Sequence, residues 1–168
     1  MDVFIEKVDR QTAVEILGWR YEAPYDFYNM EVSEENIHGM LTHPYYAMKS
    51  KAGETAGFFC FGITAQVPSR YMAQIYSANM IDIGLGMNPQ LTGKGRGSAF
   101  FAYILNQAKA GFPNTPLRLT VASFNERASR IYEKAGFKEA VRFEKERVIF
   151  KVMVLEERGF KSIQQAQI

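Results

Sequence analysis

The stretch from Ile81 to Gln107 leaves this chain little choice of fold. It reads IDIGLGM, then NPQLTGKGRGS, then AFFAYILNQ: a strand, a glycine-rich turn and the opening of a helix. Along that helix Phe100, Phe101, Ile104, Leu105 and Ala108 form one apolar stripe at helical spacing. A helix with such a stripe must pack on another element, here a sheet, so the chain reads as α/β.

The turn is a candidate anion site. Gly93, Gly95 and Gly97 alternate with Lys94 and Arg96, and glycines at that spacing let the backbone take turns closed to other residues and approach a ligand. The helix beyond opens with N–H groups that lack intrahelical partners, and its dipole adds partial positive charge. Phosphate suits such a place, and Lys94 and Arg96 reinforce it. The NTPase loop does not fit, because six residues separate Gly86 from Gly93 and Gly95 stands where a hydroxyl is required. The dinucleotide fingerprint fails too, since Gly93-Lys94-Gly95 is not followed by two residues and a glycine. A tight connection from strand to helix is the other reading of the loop.

With 168 residues and no Pro/Ser-rich linker the chain suits one domain, 1–168, with a folded core over 1–158 and a polar tail, 159–168, that frays. The net charge of +2 and the lack of a basic run interleaved with aromatics give no reason to expect nucleic acid. The charged N-terminus and the absence of a long apolar run predict neither a signal peptide nor a membrane span. One cysteine permits no internal disulfide, so a cytoplasmic setting is expected, and the few histidines form no metal-ligand cluster.

In chain order, Asp2 to Val8 reads as a strand and Asp9 or Thr12 caps a helix through Leu17. The segment Gly18 to Tyr28 then gathers Trp19, Tyr21, Tyr25, Phe27 and Tyr28 without a clean period. Such aromatics line a ligand cleft or cover one edge of the core. Ser33 caps a second helix to about Leu41. Tyr45–Lys51 and Thr55–Thr64 read as a hairpin around Gly53. Cys60 reads as a buried small hydrophobe, and His38 and His43 as surface or capping residues. Residues 65–80 give no clear period. After the Ser98–Ala110 helix, Gly111 serves as its cap. Leu117–Ala122 is a strand, Ser123 and Glu126 form a capping box for a helix to Ala135, and Gly136 ends it. Phe137–Phe143 and Arg147–Leu155 close the chain as an antiparallel pair.

Thr92 to Gly97 resembles the pyrophosphate loop of the GCN5-related N-acetyltransferases: Gln/Arg, two residues, Gly, one residue, Gly/Ala. Thr92 departs from the usual first residue, while Gly95 and Gly97 fit. The run Asn125-x-x-Ala128-x-x-x-Tyr132, followed by Gly136-Phe137, resembles that family's second signature, and Asn125, Ala128 and Tyr132 share one helix face. Alone, Tyr132 would read as a core aromatic and Asn125 as a helix-start residue.

The resemblance implies a single mixed sheet with helices on both faces, splayed between its fourth and fifth strands, Ile81–Met87 and Leu117–Ala122. Acetyl-CoA is the implied cosubstrate, with no metal. Backbone groups of Leu85 and Met87 would pair with its pantetheine arm, and the amides of Thr92, Gly93, Lys94, Gly95, Arg96, Gly97 and Ser98 would hold its pyrophosphate. Asn125 would bond the pantetheine amides and Tyr132 would face the thioester sulfur. The implied reaction is acetyl transfer to a primary amine of a small molecule or peptide. An amine of pKa ~10 must lose a proton before it attacks, and the departing thiolate must gain one. Tyr132 is the acid. For the base, Asp82 comes first because strand alternation sets it on one face with Gly84 and Gly86, which leave room beside it. Glu22 comes second, and either carboxylate could instead be solvated surface. Trp19, Tyr21, Glu22 and Tyr25 are the candidate acceptor-binding residues. A CoA- or nucleotide-binding regulatory module without turnover is the competing reading, and a dimer through the C-terminal strands stays open.

Overall fold

The structure is a computed structural model and describes residues 2–156; the tail expected to fray, 159–168, lies outside the described residues. Seven strands form a mixed sheet: β1 (Val3–Lys7), β2 (Tyr45–Ser50), β3 (Thr55–Phe61), β4 (Ile81–Met87), β5 (Leu117–Ala122), β6 (Lys138–Lys145) and β7 (Val148–Leu155). The helices are α1 (Arg10–Leu17), α2 (Glu34–Thr42), α3 (Met72–Ile75), α4 (Gly97–Gly111) and α5 (Glu126–Lys134). The α/β class with a mixed sheet stands as read. The described residues divide into two compact units, 2–60 with 85–100, and 61–84 with 101–156. Both β4 and α4 contribute to each.

In the first unit the strand order is β1-β2-β3-β4, with β1–β2 and β2–β3 antiparallel. Asp9 rather than Thr12 caps α1, its carboxylate accepting from the Thr12 N–H at 2.8 Å. Ser33 caps α2 through the Asn36 N–H, and at its far end the His43 Nδ1 lies 2.9 Å from the Gly39 carbonyl. Val8, Ala13, Ile16, Leu17, Ile37, Met40 and Ala47 are buried together, with Trp19, Leu41, Tyr45 and Phe58 packed against them. Burial of these side chains, ~1.5–3 kcal/mol for each Val, Ile, Leu or Met and less for the two alanines, holds α1 and α2 on the strands. Cys60 is buried, as its apolar neighbours suggest.

In the second unit the order is β4-β5-β7-β6. The β4–β5 ladder is parallel and short: Ile81↔Leu117 and Asp82↔Arg118. The antiparallel β5–β7 ladder, by contrast, runs the whole strand from Leu117↔Leu155 to Ala122↔Phe150. Leu117, Leu119, Val152 and Met153 are buried along these strands.

Most element ends fall within two residues of the sequence reading, and three differences have an identifiable cause. The third strand stops at Phe61 because Gly62 turns to φ 86° and donates its N–H to the Asp82 carbonyl. Helix α4 includes Gly111, and the Phe112 N–H still bonds the Ala108 carbonyl, so the left-handed turn falls to Asn114 at φ 56°. The cap of α5 is Asn125, not Ser123: the Asn125 Oδ1 accepts from the Ala128 N–H at 3.1 Å, whereas the Ser123 N–H joins the Ile149 carbonyl of β7. Residues 63–80 hold a 3-10 turn, Ile63–Ala65, and the short α3.

Candidate functional site

In the first unit the informative residues follow one another along the chain. At the end of β4 the Asn88 N–H donates to the Ala56 carbonyl of β3 at 2.9 Å. Backbone groups alternate in direction along a strand, so the N–H and C=O groups of Leu85 and Met87 face away from β3. The Met87 carbonyl accepts the Tyr21 hydroxyl at 2.7 Å. Burial pushes the Tyr21 phenol up to about 12, which keeps it a donor at every ordinary pH.

Asn88 then sets the exit. Its Nδ2 donates to the Thr55 carbonyl at 2.9 Å and its Oδ1 accepts from the Gln90 N–H at 2.9 Å. A 3-10 turn, Pro89–Leu91, follows. Thr92 closes that turn by donating its hydroxyl to the Pro89 carbonyl at 2.8 Å, so its side chain shapes the loop's entry. Gly93 and Gly95 take φ 71° and 72°, the left-handed region that disfavours any Cβ. A Cβ at Gly95 would meet no atom within 4 Å. Lys94, Arg96 and Ser98 are exposed. The Phe100 N–H bonding the Arg96 carbonyl at 3.0 Å marks the first turn of α4. The result is an open loop with two cations leading into the amide end of a 15-residue helix, a place suited to phosphate oxygens.

The acceptor candidates separate. Trp19 is half-buried and packs against the core beside α1, its ring 6.1 Å from that of Phe58. Glu22 is exposed and Tyr25 half-buried, opening a 3-10 turn over Tyr25–Tyr28. Gly86, which with Gly84 is expected to leave room, instead has its open side filled by protein: a Cβ there would lie 2.3 Å from the Phe58 ring.

In the second unit, Asp82 is 2% exposed and its two oxygens receive Arg118 Nε at 2.6 Å and Nη2 at 2.8 Å. Gln66 Nε2 adds a third donor at 2.9 Å. Arg118 also donates to the Ile75 carbonyl and stacks 4.8 Å over the Tyr76 ring. The Tyr76 hydroxyl lies 2.9 Å from the Thr120 hydroxyl and accepts from the Val67 N–H at 3.0 Å. A carboxylate so enclosed has both oxygens held by fixed donors, which makes it a structural anchor. Arg118, Gln66 and Tyr76 escaped the sequence reading. The signal for the pair was present: a lone Arg in LRLTVA and a lone Asp in IDIGLGM, each charged inside a buried strand, call for each other.

Tyr132 is buried on α5, edge-on to Phe101 with ring centres 4.8 Å apart and near Phe137. One turn of α5 is tightened by Asn125, whose carbonyl accepts both the Ser129 N–H and its hydroxyl. Among the described residues no three His, Cys, Asp or Glu side chains group as metal ligands, and no helix is long and apolar enough to cross a membrane.

Comparison with known proteins points one way. The family model described as the acetyltransferase (GNAT) family matches residues 10–137. An acetyltransferase of that family from Bacillus anthracis superposes with a TM-score of 0.69 at 13% identity, covering 93% of this chain and 95% of that one. The structure of yncA from Salmonella typhimurium with its cofactor acetyl-CoA gives 0.61 at 13% identity, covering 99% and 100%. A spermidine N-acetyltransferase SpeG chimera from Vibrio cholerae and hSSAT gives 0.66 at 16% identity, covering 93% and 96%. No curated protein matches.

Proposed function

Since the chain belongs to the acetyltransferase (GNAT) family, we propose that it moves an acetyl group from acetyl-CoA to a primary amine by direct attack. The observation that carries this reading is the run from β4 to α4. Leu85 and Met87 turn hydrogen-bonding groups away from β3, and the chain continues into a left-handed glycine loop with Lys94 and Arg96 exposed.

Leu85 pairs with the pantetheine arm as a neighbouring strand would, and the Met87 N–H meets its thioester end. The amides of residues 92–98 hold the pyrophosphate, with Lys94 and Arg96 balancing its charge. Acetyl-CoA, when bound, supplies an activated thioester carbonyl. The Met87 N–H donates to that carbonyl's oxygen as it gains charge. Asn125, which caps α5 through its Oδ1, lies at the helix start from which it bonds the pantetheine amides. Tyr132 gives its proton to the departing sulfur. With Asp82 bound to Arg118, the amine proton leaves through water, and Glu22, exposed in the acceptor segment, is the carboxylate we assign to receive it. Tyr25 flanks the acceptor there.

Purified protein mixed with acetyl-CoA and a panel of amines, including a polyamine and a peptide N-terminus, should release free thiol. Tyr132→Phe should lower kcat by about a hundredfold and leave the acetyl-CoA KM within about twofold. Tight CoA binding with an intact thioester after long incubation would instead identify a binding module without turnover.

A further inference from the structure

The segment between α1 and α2 is held as one piece by Arg20. A single nitrogen of that side chain, Nη1, donates to the carbonyls of Leu17 at 3.0 Å, Trp19 at 2.7 Å and Met30 at 3.0 Å. Within the segment the Tyr21 N–H donates to Asn29 Oδ1 at 2.8 Å, which fixes Tyr21 to the far side of its own loop. The Tyr21 hydroxyl then reaches 66 residues along the sequence to the Met87 carbonyl. One residue thus joins the segment carrying Glu22 and Tyr25 to the last residue of β4.

The chemistry of that bond matters at the end of β4. The N–H and C=O of Met87 both face away from β3. A bare carbonyl oxygen beside a thioester that gains negative charge would oppose the reaction, whereas one engaged by a donor opposes it less. The phenol is half-buried and stays protonated, so the donor is present across the working pH range.

We propose that Tyr21 is a positioning residue for acetyl transfer: its bond to Met87 holds the acceptor segment, residues 17–30, in place against the cofactor-pairing edge of β4 and occupies that strand's last carbonyl. This rests on the reading of the chain as an acetyltransferase that pairs β4 with acetyl-CoA.

Tyr21→Phe deletes only the hydroxyl. In steady-state kinetics with acetyl-CoA and an amine that the wild-type protein acetylates, kcat/KM for the amine should fall about tenfold, the worth of one partly buried hydrogen bond. The acetyl-CoA KM should stay within about twofold. Ser33→Ala, which removes the cap of α2, serves as the control: it should lower the melting temperature without altering kinetics. If Tyr21→Phe behaves like Ser33→Ala, or raises the acetyl-CoA KM with the amine parameters untouched, the proposal is overturned while the assigned activity stands. If the wild-type protein acetylates no amine and CoA does not raise its melting temperature, the activity fails and this inference with it.

Discussion

Residues 81–87 and 92–98 sit five residues apart in the chain, and both mix glycines with charged side chains. Their use of them is opposite. In the strand, Asp82 is sealed against Arg118 and Gln66, and the missing side chain at Gly86 makes way for Phe58. In the loop, Lys94 and Arg96 are exposed, and Gly95 is needed for its φ of 72° while its surroundings stand open. A glycine can serve packing or conformation, and a charge can serve anchoring or capture. Residue type alone does not say which, and the neighbours do.

The sharpest way to break this contrast is to unpair the anchor. Arg118→Met leaves Asp82 buried without its cation and should cost about 3–5 kcal/mol. At this chain length that is a fall of roughly 10 °C in Tm, read by thermal unfolding. Adding Asp82→Leu should restore most of that loss, because an apolar pair of similar volume carries no unpaired charge. A double variant as unstable as the single one would show that Asp82 does more than anchor.

Next in size is Gly57→Ala. Its Cβ would lie 2.3 Å from the Phe100 ring and 2.7 Å from the Gly86 carbonyl. Backbone on one side and a packed ring on the other should make the substitution cost about 1–3 kcal/mol. Calorimetry on the folded protein should find CoA affinity unchanged; a large loss of affinity would erase the division between packing and binding glycines.

Gly95→Ala should do the reverse. Nothing obstructs the methyl group, but φ 72° costs an L-residue about 1–2 kcal/mol. The loop can relax by leaving the conformation that presents its amides, so the acetyl-CoA KM should rise about tenfold with Tm shifting only a few degrees. Unchanged KM would mean that the loop amides do not hold the cofactor.

The smallest effect concerns pH. The Tyr21 phenol titrates near 12 when folded against 10.0 as its ordinary value, because burial disfavours the phenolate. A raised folded pKa means that its contribution to stability is complete below pH 10 and is lost as pH climbs through 12. Unfolding followed across that window should show a shallower alkaline loss in Tyr21→Phe than in the wild-type protein. Identical curves would place the phenol in water.

Much of this was legible in the sequence where the cause is local. The strand Leu117–Ala122 came out as read because β-branched and leucine residues alternate between turn signals. The cap Ser33 followed from a side-chain oxygen near orphan amides, and the same reasoning narrowed the first cap to Asp9 or Thr12. The stretch 65–80 resisted because its order comes from Gln66 bonding to Asp82, Tyr76 to Thr120 and the Val67 N–H to Tyr76, partners that no periodicity announces. The cap of α5 went astray for a related reason: the Ser123 amide is claimed by β7, which leaves Asn125 to begin the helix.

By itself, then, the order of residues determined the seven strands, the helices outside residues 65–80, the glycine loop between β4 and α4, and the signatures that mark the family. These depend on contacts within about one turn of helix or one hairpin, which propensity and spacing encode directly. Only the tertiary structure decided that Asp82 is an anchor, that Gly86 shelters a ring, that Trp19 packs against the core and that Tyr21 grips Met87. Each of those depends on which distant group arrives beside a side chain, and that is settled by packing rather than by local preference.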